Sequence, residues 1–146
     1  MQDTLQEIEY LLQHPTVKKA EAAIAHILRD DPSEELQAQL LLQRARAHWL
    51  SDRPERGIDD LHQVRTISPV LFATPRVQEL LADCHFARFE RSAIGFADRV
   101  YLSTAQDIYR DITQLYPHYN NLGWVHFQHG RSFLAHDDVL SAGRAV

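Results

Sequence analysis

Histidine is one source of possible chemistry in this chain, with nine copies in 146 residues. Three of them, His126, His129 and His136, fall close together beside Asp137 in a segment of helical pattern. His126 and His129 are three residues apart, so a helix would carry both imidazoles on one face, where they could ligate zinc or iron. A metal site asks for more than that. The segment has no HExxH pattern and no carboxylate interleaved at ligand spacing, and Cys84 is the single cysteine. These residues read as solvated or capping histidines, and no metal is assigned. A metal-dependent or enzymatic helical protein using His126, His129 and His136 stands as the alternative to the binding role argued below.

Other catalytic patterns are weaker. The segment GRSFL around Ser132 lacks the glycine two residues after the serine that a nucleophile elbow has, and its periodicity is helical. Gly95 and its neighbours contain no GxxxxGK[ST] loop to cradle a phosphate. No pair of carboxylates stands in apolar surroundings that would raise the pKa of one of them. The expectation is a protein with no catalytic residues and no cofactor.

Composition narrows the partners. The formal net charge is -5, and of 15 basic residues only Lys18 and Lys19 are lysines, with the arginines scattered. Nucleic-acid binding depends on clustered cations facing phosphates, so no nucleic-acid partner is expected. No stretch approaches the 18 or so uninterrupted apolar residues of a membrane span, and the first ten residues are acidic and polar, unlike a signal peptide. The expected location is cytoplasmic, with no membrane partner. Cys84, in LLADCHFARF, reads as a small core hydrophobe.

The elements that would position these residues are all helical. Asp3 to Gln13 places Leu5, Ile8, Leu11 and Leu12 on one face, and Pro15 interrupts it. A second helix starts near Thr16, an N-cap residue, and runs through Ala20, Ala23, Ile24, Ile27 and Leu28 to Asp31-Pro32. Ser33 to Leu50 and Pro54 to Ile67 form the next pair around the turn Ser51-Asp52-Arg53. After Thr74-Pro75 a helix runs through Leu80, Leu81 and Phe86, and the chain returns from about Asp98 to Leu115. A last helix covers about Asn121 to His136, followed by a turn at Asp137-Asp138 and the start of a partner helix. No alternating strand pattern appears, so the fold class is all-α.

Three helices end alike, at Asp31-Pro32, Ser68-Pro69 and Tyr116-Pro117. Twelve residues before each proline stands a small residue, Ala20, Gly57 or Ala105, and four residues further on a large one, Ile24, Leu61 or Tyr109. Small residues let helices approach and large ones fill the space beside them. Ala45 to Leu61 also aligns without gaps to Gly130 to Val146, pairing Ala45 with Gly130, Arg46 with Arg131, Trp49 with Leu134, Asp52 with Asp137 and Gly57 with Ala142. On these residues the chain resembles the tetratricopeptide repeat (TPR) family, a helix-turn-helix unit of about 34 residues. The resemblance spans 1–146 as a single domain with units of about 1–33, 34–70, 75–118 and 121–146, the last incomplete. Its small residues recur at 20, 57, 105 and 142. The long second interval, from 57 to 105, leads into the third unit and implies extended helices or an ordered loop around 92–97.

The resemblance implies a superhelical stack whose first helices line a concave groove for a peptide or protein partner. It would place Gln43, Arg46 and Trp49 of the second unit, and Gln128, Arg131 and Leu134 of the fourth, in that groove. Arginine beside an aromatic or aliphatic side chain suits a carboxylate-bearing, partly apolar segment. The chaperone-binding members clamp a terminal carboxylate with lysines and asparagines; Leu5 and Glu9 stand at those positions here, which argues against that specificity. The expected function is a protein-interaction scaffold, the repeat domain of a larger regulatory or assembly protein. Because the chain ends inside a predicted helix at Gly143-Arg144-Ala145-Val146, a fragment of a longer protein is the first expectation, and a homo-oligomer through an exposed C-terminal helix the second.

Overall fold

A computed structural model describes residues 2–13, 17–92 and 98–144. Among these the protein is all-helical, with α1 Gln2–Gln13, α2 Val17–Arg29, α3 Glu34–Leu50, α4 Pro54–Ile67, α5 Pro69–Phe72, α6 Pro75–Arg91, α7 Arg99–Leu115 and α8 Leu122–Arg144. No described helix is long and apolar enough to cross a membrane. The chain forms two compact units, 1–77 and 78–146.

In the first unit α1 packs on α2, and α3 packs on α1, α2 and α4. Ile8 and Leu12 of α1, Ala20 and Ile24 of α2, and Leu40 and Ala47 of α3 make one buried cluster. Each large side chain buried there contributes about 1.5–3 kcal/mol by leaving water. The helix boundaries follow from local chemistry. The Ser33 hydroxyl accepts a hydrogen bond from the Leu36 amide at 3.3 Å, capping α3. Pro54 occupies the first turn of α4, where its missing N–H is no loss. The turn between α3 and α4 passes through Asp52 at φ 58°, and the chain beyond α2 through Asp31 at φ 52°. Aspartate is among the few residues other than glycine that enter this left-handed region readily.

In the second unit Ala82, Phe86 and Phe89 of α6 pack with Leu102, Ala105, Tyr109 and Ile112 of α7 and Val125 of α8. Cys84 is fully buried, as a core residue should be. The Glu79 carboxylate on α6 accepts from the Tyr119 hydroxyl at 3.2 Å and from the Asn121 amide, tying down the segment that leads into α8.

One element is additional to those expected, and two expectations need correction. The segment 68–74 holds a short helix, α5, opened by the Ser68 hydroxyl accepting from the Leu71 amide with Pro69 in the first turn; Ser-Pro is both a stop and a start. The turn at Asp137-Asp138 does not form, because α8 runs on to Arg144. Its template turn, Ser51-Asp52-Arg53, is followed by Pro54, whereas the aligned position here is Val139, which does not interrupt a helix. Nor does Gly130 act as a close-packing residue like Ala45. Ala45 is fully buried, whereas a Cβ at Gly130 would meet nothing within 4 Å. The cap at Thr16, Pro15 and the loop positions 93–97 lie outside the described residues.

Candidate functional site

Each unit encloses one aspartate in a polar junction. In the first, Asp60 on α4 is 3% exposed. The α3 guanidinium of Arg44 grips it bidentately, Nε to Oδ2 at 2.9 Å and Nη2 to Oδ1 at 2.7 Å. His48, one turn further along α3, brings Nε2 within 3.4 Å of Oδ2. The hydrogen bond to Asp60 raises the pKa of Arg44. Burial lowers that of His48, outweighing the attraction of Asp60, so the imidazole is held towards its neutral form. Arg44, His48 and Asp60 line an open cleft of about 440 Å³ together with Glu21, Arg56 and Asp59.

In the second unit Asp83 on α6 is 4% exposed and forms no ion pair among the described residues. Its Oδ1 accepts from the Tyr109 hydroxyl on α7 at 2.5 Å and from Gln128 Nε2 on α8 at 3.3 Å; its Oδ2 accepts from Trp124 Nε1 at 2.9 Å. One carboxylate thus joins three helices. Burial pushes its pKa up to about 6, against the pull of the three hydrogen bonds and of Arg131. Burial, and then the Asp83 charge, likewise drives the Tyr109 phenol above its ordinary value.

The outer surface of α8 has a different character. Gly123, Phe127, Gly130 and Leu134 follow one another at four, three and four residues, which aligns them in one stripe. Phe127 is 57% and Leu134 68% exposed, and open space lies above both glycines. Beside the stripe, Arg131 lies over the rings of Phe86 at 5.0 Å and Phe127 at 5.9 Å. Its Nη2 donates to Glu90 at 2.7 Å and its Nη1 to Gln128 Oε1 at 2.7 Å.

The six residues nominated for a groove thus occupy contrasting places. Gln43 is buried in α3, and its Oε1 has no hydrogen-bond partner among the described residues. Arg46 is half-exposed and donates to Glu9 at 2.7 Å, and Trp49 is half-buried. Gln128 is buried against Asp83, while Arg131 and Leu134 reach the surface of α8. The histidines also separate. His126 is exposed, whereas His129 stacks on Phe133 at 4.8 Å and contacts the Tyr109 ring at 6.1 Å. Burial, then His126 and Arg110, lowers the pKa of His129. Among the described residues no three His, Cys, Asp or Glu side chains are grouped to hold a metal.

Sequence reasoning missed both buried aspartates. Each left a trace: Asp60 follows Gly57 and precedes Val64 at helical spacing, and Asp83 adjoins Ala82 and Cys84 on the apolar side of α6. Compared with known proteins, the chain matches no family model, no curated protein and no solved structure.

Proposed function

We propose that this chain is a TPR-like interaction module that holds a polypeptide partner against the outer face of α8. The observation that carries this reading is the pair Phe127 and Leu134, both more than half exposed on one stripe of α8, beside an arginine oriented by Glu90 and Gln128. Exposed large apolar side chains around a fixed guanidinium are the ingredients of a binding hot spot, since they lose water on contact and the arginine is already ordered. The repeat reading draws support from the first unit, where α1–α2 and α3–α4 are hairpins and α3 lies against both helices of the preceding pair. The positions 20, 57 and 105 and the large residues at 24, 61 and 109 are all buried, as inter-hairpin packing requires. Arg46 and Trp49 are the corresponding candidates on the first unit.

The test compares two baits in lysate of the native host: the unaltered chain and a Phe127→Glu, Leu134→Glu double variant of unchanged helicity. A protein retained by the first and lost from the second supports the reading. Identical retention by both baits, or none above a helical control, removes it. The same face could instead be covered by a second copy. Light scattering across a concentration series separates the two, because self-association abolished by the double variant would make the partner another copy of this chain.

A further inference from the structure

The Asp83 junction does not end in the core. Gln128 uses both ends of its amide: Nε2 donates to Asp83 Oδ1 at 3.3 Å, and Oε1 accepts from Arg131 Nη1 at 2.7 Å. Arg131 then donates through Nη2 to Glu90 at the surface. A continuous chain of hydrogen bonds therefore runs from a buried ionisable group to the guanidinium beside Phe127 and Leu134.

We propose that Asp83 is a proton sensor whose charge is relayed through Gln128 to Arg131, making the α8 face pH-responsive. The proposal rests on the binding role given to that face. Its logic lies in the donor inventory. A Trp Nε1–H and a Gln Nε2–H can only donate, so both require an acceptor; the Tyr109 hydroxyl can donate or accept. When Asp83 takes up a proton on Oδ1, Tyr109 alone can receive the new O–H, and the hydrogen bond between them reverses direction. Oδ2 keeps the Trp124 indole. The long contact from Gln128 loses most of its charge-assisted attraction, which frees the amide and loosens Arg131 on that side while Glu90 still holds it. The titratable and charged groups around the junction are Tyr109 from α7, Arg131 and, across the Tyr109 ring, His129 from α8, and Glu79, Cys84 and Glu90 on α6 itself. Burial sets the carboxyl to change charge near pH 6, inside the range a cell can visit.

The experiment is a pH titration of the free full chain by nuclear magnetic resonance, which needs no partner. The Asp83 carboxyl carbon, the Trp124 indole N–H and the Arg131 Nε–H should move together with one midpoint near 6. Asp83→Asn should abolish the movement of the last two. Gln128→Leu should silence Arg131 while Trp124 still titrates, a split that a merely structural Gln128 would not give. The proposal is overturned if the Asp83 carbon itself does not titrate between pH 5 and 7 in the unaltered chain, which requires no variant to fold. It is equally overturned if the Trp124 and Arg131 signals survive Asp83→Asn, or vanish instead in His129→Asn. A pH response in a chain that captures no partner would uphold the sensor and reject the binding role.

Discussion

Asp60 and Asp83 are the same residue type, almost equally buried, each at a junction within its own unit, yet they are stabilised in opposite ways. Asp60 is held by a guanidinium that supplies both countercharge and two hydrogen bonds. Asp83 receives three hydrogen bonds from neutral groups, and the Arg131 guanidinium, which also bonds Gln128, attracts it without a direct hydrogen bond. A buried ion pair breaks badly when one partner is lost; a buried carboxylate among neutral donors can be neutralised by a proton from water. The first unit thus has a fixed electrostatic clasp, and the second an adjustable one.

The comparison can be broken most sharply at Arg44. Arg44→Ala should destabilise the chain by about 3 kcal/mol, because it leaves Asp60 buried beside a mostly neutral histidine. Urea unfolding followed by circular dichroism checks this, and a loss under about 1 kcal/mol would mean that water replaces the guanidinium. Replacing both partners, Arg44→Met with Asp60→Leu, should recover most of the loss.

The next effect belongs to Asp83 and depends on pH. Its pKa rises from 3.8 in the unfolded chain to about 6 in the fold. Its stabilising contribution is therefore full below about pH 3.8 and lost as pH rises through 6, a change of about 3 kcal/mol. His129, with a lowered pKa, acts in the opposite sense: its contribution is present above its unfolded value and lost as pH falls. The unfolding free energy at pH 5 minus that at pH 7.5 should be lower in Asp83→Asn than in the unaltered chain, because only the histidine contribution then remains. An equal difference in both would assign the pH dependence elsewhere.

Two smaller effects test the packing. Ala105→Leu, at a fully buried position, should cost about 1–3 kcal/mol by overpacking. Gly130→Ala, where a methyl meets open space, should stabilise α8 by about 0.5–1 kcal/mol, seen as a raised melting temperature. A loss at Gly130 would restore the close-packing role that its alignment with Ala45 suggests.

Legibility differed between the two kinds of feature. Helix limits at Ser33, Leu50, Pro54, Ile67 and Leu115 were readable because caps, prolines and apolar periodicity act locally. The burial of Ala20, Gly57 and Ala105 was readable because packing recurs in register with the sequence. The continuity of α8 was hidden by a real similarity: Asp137 matches Asp52, but a turn also needs a residue that refuses the helix, and Val139 does not. The polar junctions were unreadable for a different reason. Arg44 and Asp60 are sixteen residues apart, and Asp83 and Gln128 forty-five, so their pairing exists only once the helices have packed.

Trp49 lies in the first unit and Trp124 in the second, and the chain has no other tryptophan. Each unit thus carries a single indole fluorophore of its own. Replacing one indole at a time with phenylalanine would leave an emission signal that comes from one unit alone. Melting curves from the two variants would then show directly whether the halves unfold together or in sequence.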